Sequence, residues 1–503
     1  MAGQLDTVKL DKALRLAKKK SKEGQSEEAK KIYQDILKKY PKHKKALLAF
    51  QSLTEDETSV PLDPSPQALQ SILNLYTQGH LQLALSGAIR MLETFPNSIV
   101  LYNIVGVSNA GLMRFEAAIE AYKQALKIKP DYSEVYNNMG VAQNAKGDPE
   151  AAMACFKQAA LINPDYAEAY NNIGLAFSVK GQTKAAITSY EKAVLIKPDY
   201  ADAYNNMANA LQEKGDLKGA IESYNKVVLI QPHYAEAYYN MGIAYKGIDN
   251  TEAAIGSYKQ AIKINPHYVE AFINIGIVLK DSGHHEAAIN SYKQALNIKP
   301  DYADALFNMG VSLQDLGDLQ GAISSYNKAV SIKPDYAEAY NNMGIALQGK
   351  SDLDAAVKSF EMALQTNPDY AQAYNNLGIA LKDKGDLDAA LRSYEKALRV
   401  EPEYADAYFN MGTVLQDKGD LNAAIESCIK ALKIKPDYAQ VWSNLVFLLQ
   451  AIKLQDHDVE ELLLTVPRQP TSQHTQILKS ILRYSLCLGS DSAKSAFNET
   501  CSL

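Results

Sequence analysis

Ten asparagines, Asn138, Asn172, Asn206, Asn240, Asn274, Asn308, Asn342, Asn376, Asn410 and Asn444, follow one another at 34-residue intervals. A carboxamide offers a donor and an acceptor, so a row of them matches the C=O and N–H groups of an extended peptide without reading its side chains. The chemistry is recognition, with a broad range of clients. The preceding position has drifted through Asn, Tyr239, Ile273, Phe307, Phe409 and Ser443, so duplication alone does not explain the constancy. The structural alternative is that each asparagine bonds to a neighbouring repeat, since buried polar groups need a partner. Tyr239, Ile273 and Phe307, in three successive copies, could add an apolar contact strip or could pack between adjacent repeats.

No other constellation reaches chemistry. His233 and His267, and the pair His284 and His285, lack convergent carboxylate or cysteine ligands, and Asp456-His457-Asp458 is equally uncommitted; no metal site is expected. Phosphate-binding glycine loops, G-x-S-x-G and H-E-x-x-H are absent from the sequence, so neither a cofactor nor a catalytic residue is assigned. Cys155, Cys428, Cys487 and Cys501 stand alone, without the spacing of a disulfide framework or zinc site, which fits a reducing compartment.

What positions the asparagines is a repeat. Proline recurs every 34 residues from Pro96 to Pro436 without a slip. From Ile99 to Tyr438 run ten copies, numbered here so that Tyr136 is position 4, the asparagines position 6 and Pro164 position 32. Positions 4, 7, 8 and 11 form one apolar stripe and positions 20, 24 and 27 another, each at helical spacing, so every copy predicts two antiparallel helices. Asp131 with Glu134, and Asp165 with Glu168, have the spacing of a capping box that would open the first helix. The acids of position 2, among them Glu236, Glu270 and Asp304, are explained in the same way, and would also bias an inner face towards basic or neutral peptides. Gly147-Asp148-Pro149 supplies a turn, an N-cap and a first-turn proline for the second helix. Tyrosine at position 34 of all ten copies is expected to pack between repeats with its hydroxyl at the surface.

The pattern of an aromatic at position 4, Leu/Met-Gly at 7 and 8, Ala at 20, Tyr/Phe at 24, Ala at 27 and Pro at 32 resembles the tetratricopeptide repeat. The resemblance implies an all-α fold, an α-solenoid wound as a right-handed superhelix, with the first helix of each pair lining the concave surface. The asparagine row resembles the concave ladder in the repeat region of O-linked N-acetylglucosamine transferases. The expected function is a non-catalytic scaffold that binds proteins or extended peptides in the groove. The alternative is the substrate-recruiting part of a glycosyltransferase or sulfotransferase, for whose catalytic domain the tail after Lys453 has no room. A third reading is self-association.

The ends differ from the middle. Residues 1–53 hold a divergent copy (10–43, with Gly24, Ala29, Tyr33 and Pro41 in register), residues 54–64 read as a linker, and 65–98 form a second divergent copy. Residues 439–503 begin with another first helix carrying Trp442; the apolar segments Val459–Val466 and Ile477–Leu488 follow, as a cap or the start of a further domain. The net charge of -6 over 503 residues is uneven. Residues 1–50 are basic, yet no aromatic residues interleave with Lys18, Lys19 and Lys20, so nucleic acid is not expected. With no signal-peptide core and no apolar run of membrane-spanning length, the sequence reads as cytoplasmic, with no membrane partner. Its 47% hydrophobic content is to be buried between neighbouring repeats of one elongated body.

Overall fold

The computed structural model describes residues 2–40, 43–58 and 63–451. Among these residues every regular element is an α-helix, from Ala2–Lys22 to Ala439–Ala451. Each copy is a helix pair, as in Ser133–Lys146 with Pro149–Ile162 and Ala337–Gly349 with Leu353–Thr366. The fold is an α-solenoid.

The helices cluster into two compact units, Met1–Pro232 and His233–Leu503, where the unbroken period predicts one body. In a repeat stack each pair touches only its neighbours, so no central core obliges ten similar repeats to form a single unit.

Within a repeat, the position-24 ring is the largest buried side chain. Tyr190, Tyr258, Tyr292, Tyr326, Phe360 and Tyr394 are almost wholly buried. Each lies on the position-8 glycine of its own repeat; a Cβ built on Gly276 would stand 2.4 Å from the Tyr292 ring. The alanines of positions 20 and 27, such as Ala186 and Ala193, are fully buried beside it, so small residues let the two helices close over the ring.

Helix starts depart from expectation at one end and agree at the other. Asp148 accepts the Ala151 N–H at 3.0 Å ahead of Pro149, and Gly147 adopts φ 93°. Asp216, Asp318, Asp352, Asp386 and Asp420 cap their second helices alike. The capping boxes expected at the first helices do not form: the N-cap residues are Tyr132 and Tyr166, without a side-chain cap. Asp131 and Asp165 belong to the turn before, one residue too early to reach the free N–H groups.

Residues 54–64 are only partly a linker. The helix Lys44–Thr58 continues through Thr54–Thr58, whose residues are compatible with a helix; Ser65 then caps Pro66–Thr77, with Pro66 in the first turn, where its missing N–H is harmless. Trp442 is buried in Ala439–Ala451 and donates Nε1–H to the Pro436 carbonyl at 2.8 Å. Asp456-His457-Asp458, Val459–Val466, Ile477–Leu488, Cys487 and Cys501 lie outside the described residues.

Candidate functional site

First helices of successive repeats touch one another, as Ile99–Gly111 does Ser133–Lys146 in the first unit and Ala371–Asp383 does Ala405–Asp417 in the second; second helices of successive repeats come less close. The row of first helices is therefore the tighter, inner row within each unit, and its outward residues form the inner face.

Position 6 sits at the edge of that face, part-buried in each of the ten cases. Its partner is the side chain at position 5 of the preceding repeat. The Nδ2–H of Asn138 donates to Asn103 at 3.1 Å, that of Asn172 to Asn137 at 2.8 Å and that of Asn206 to Asn171 at 3.0 Å. In the second unit Asn376 donates to Asn341 at 3.0 Å and Asn410 to Asn375 at 2.9 Å. Asn274 uses the Tyr239 hydroxyl as acceptor, at 3.0 Å. The structural alternative is thus present at six of the ten positions, where the asparagine clips its repeat to the one before.

The acceptors were hidden in the sequence. Position 5 varies in residue type along the array, yet Asn137, Asn171, Asn205, Asn341 and Asn375 are buried, Asn341 to 1% exposure. The available signal was the double Asn-Asn at 137–138, 171–172, 205–206, 341–342 and 375–376. Where position 5 is isoleucine or phenylalanine the clip lapses, and it is absent at Asn240, whose counterpart Asn205 keeps a buried Oδ1 without a partner. Asn308, downstream of Ile273, turns its Nδ2–H to the Asp304 carbonyl of its own helix at 2.9 Å. Asn342, downstream of Phe307, accepts from Asn341 at 3.3 Å. Asn444 reaches the Cys428 Sγ at 3.9 Å.

Of the two readings of Tyr239, Ile273 and Phe307, the contacts observed are those of packing between adjacent repeats. Ile273 is buried in a cluster with Tyr292 and Ala305, Tyr239 lies 4.8 Å from the Tyr268 ring, and Phe307 lies 5.0 Å from that of Tyr336.

The clip commits one amide hydrogen of each clipped asparagine. The carboxamide oxygens of Asn138, Asn172, Asn206, Asn376 and Asn410 accept no hydrogen bond among the described residues. One helical turn before four of them stand position-2 carboxylates, freed from the capping role, and before Asn376 stands Gln372. Glu134 accepts from Asn103 at 3.0 Å and Glu168 pairs with Lys197 at 3.3 Å, while Asp304 and Asp406 engage the hydroxyls of Tyr336 and Tyr438. Burial first, and the facing carboxylates second, push those two phenols far above the ordinary tyrosine range. The position-34 tyrosines stand at the N-cap positions of the first helices without capping them, and their rings carry lysines, as Lys333 over Tyr336 at 4.3 Å and Lys197 over Tyr200 at 4.8 Å. No group of His, Cys, Asp or Glu among the described residues could hold a metal ion, and no helix among them is long and apolar enough to cross a membrane.

A TPR-repeat family model matches residues 114–147, 144–178, 179–215, 208–248, 278–317, 312–351 and 380–419. Tetratricopeptide-repeat models match 235–268, 337–370 and 405–438, then 359–392 and 13–43. The chain belongs to the tetratricopeptide repeat family. The matches include the divergent N-terminal copy, and this TPR chain is built as a protein-interaction scaffold. None of the curated proteins compared with it matches. Among solved structures, a MamA protein is 31% identical over 34% of this chain and 94% of its own, with a TM-score of 0.32. YrrB, described as a TPR protein with an unusual peptide-binding site, is 23% identical over 39% and 97%, with a TM-score of 0.34. The APC/C hetero-tetramer Cut9–Hcn1 is 17% identical over 88% and 96%, with a TM-score of 0.39.

Proposed function

We propose that the inner face of each unit holds extended segments of partner proteins through the position-6 carboxamides, with the position-2 carboxylates favouring basic or neutral segments. The observation that carries this reading is the half-committed state of Asn138, Asn172, Asn206, Asn376 and Asn410. One amide hydrogen fixes the plane of the group while the oxygen accepts no hydrogen bond among the described residues. A carboxamide held before a peptide arrives loses little side-chain entropy on binding, which favours affinity from backbone contacts alone. Because backbone is common to every peptide, sequence preference then comes from the charges one turn away.

The test is a peptide-array screen of the wild-type chain against a variant with Asn172, Asn206, Asn376 and Asn410 replaced by alanine, with far-UV circular dichroism confirming that it folds. Broad loss of peptide signal is expected. An unchanged binding profile in the folded variant refutes the reading.

A further inference from the structure

The N-terminal helices carry the same groove with its chemistry inverted. Ala2–Lys22 and Lys44–Thr58 stand as successive first helices, with Ser26–Lys39 as the second helix between them in sequence. Between them lies a cleft of about 540 Å³ lined by Leu14, Lys18, Tyr33, Lys45, Leu48 and Leu53. In the repeat frame Leu14 and Leu48 occupy position 5, where the array carries buried asparagine, and Lys45 occupies position 2, where the array carries acids. Arg15 and Ala49 replace the position-6 asparagine. Tyr33 is buried at the floor, and Leu48 is 59% exposed at the wall.

The charge is available. Lys19 and Lys20 are paired with Glu23 and Glu28, whereas Lys18 and Lys45 make no ion pair among the described residues and are exposed. Residues 1–50 carry 14 Lys+Arg against 6 Asp+Glu. Lining residues 14, 18 and 21 on one helix and 45, 48, 49 and 53 on the other run the cleft along both helices for about 10 Å, at 1.5 Å of rise per residue. A trough between two helices, apolar within and lysine-edged, fits an amphipathic helix laid into it.

We propose that this cleft is a second binding site, separate from the asparagine face, whose occupant is an acidic amphipathic helix of a partner protein. Its leucine-type residues, spaced three and four apart, enter against Leu14, Leu48 and Leu53, while its carboxylates meet Lys18 and Lys45.

The experiment measures fluorescence anisotropy of a labelled helical peptide with Leu at i, i+3, i+4 and i+7 and Glu elsewhere, titrated with the whole chain, beside its Lys-for-Glu counterpart. The acidic peptide binds with an affinity that falls as salt rises, and in the four-asparagine variant its basic counterpart does not bind. Lys18→Glu with Lys45→Glu, both at exposed sites, weakens binding at least about tenfold; the four-asparagine variant leaves it unchanged. Equal binding of both peptides by the four-asparagine variant, undiminished binding by the double lysine variant, or capture by phosphatidylserine vesicles without binding of the acidic peptide overturns the assignment.

Discussion

Replacing Asn376 by alanine separates what the asparagine row does for the fold from what it does for a ligand. Its amide donates to the Asn341 oxygen at 3.0 Å, and Asn341 is 1% exposed. Truncation strands that buried oxygen, which costs about 1–3 kcal/mol. Asn308→Ala is the control. Asn308 donates only to its own helix, at the Asp304 carbonyl, and alanine regains roughly 0.5 kcal/mol of helix propensity, so its stability should be close to neutral. Because repeat stacks can unfold in parts, a single midpoint is insufficient. Guanidinium denaturation by circular dichroism should be joined to amide hydrogen exchange across Ala337–Gly349 and Ala371–Asp383, where Asn376→Ala speeds exchange and Asn308→Ala does not. The double variant Asn341→Ala/Asn376→Ala removes both partners and should be less destabilised than the sum of the single variants, by about 1 kcal/mol. Additive single effects, or equal destabilisation by Asn376→Ala and Asn308→Ala, would refute the clip.

Two further outcomes follow from the packing. Gly276→Ala places a methyl 2.4 Å from the Tyr292 ring, and such overpacking costs about 1–3 kcal/mol; Gly412→Ala, whose nearest neighbour is the Ala424 carbonyl at 3.3 Å above the smaller Cys428, should cost less, as thermal unfolding of the pair would show. Ala208 already stands at this position beside Tyr224, so the Gly276 variant should still fold. Alkaline titration should reveal the buried phenols: burial raises Tyr166, Tyr200, Tyr268 and Tyr404 from 10.0 to about 12. The folded state holds these protons after the unfolded chain has released them, so their contribution is complete below pH 10 and is lost as pH rises towards 12. The denaturation midpoint should fall across that window, and phenolate absorbance should appear late and then steeply on unfolding.

The sequence by itself determined the helix pairs, the second-helix caps and the ring-on-glycine contact, because each depends on residues close in the chain or on a 34-residue period visible without coordinates. Asp148 caps a helix three residues away, and Tyr292 meets Gly276 within one repeat. The N-terminal copy was legible from Gly24, Ala29 and Tyr33, of which the two side chains are buried. The asparagine row was legible as a row, but its acceptors were not. Asn172 and Asn137 are 35 residues apart, and only the stacking of first helix on first helix turns position 5 inward. The same stacking packs Tyr239, Ile273 and Phe307 against neighbouring helices. It also set the first-helix start one residue beyond Asp131, handing Glu134 to Asn103 rather than to a cap. The division at Pro232 and His233 has no mark in the repeat, because a period records what each pair needs from its neighbour and nothing about how many pairs cohere.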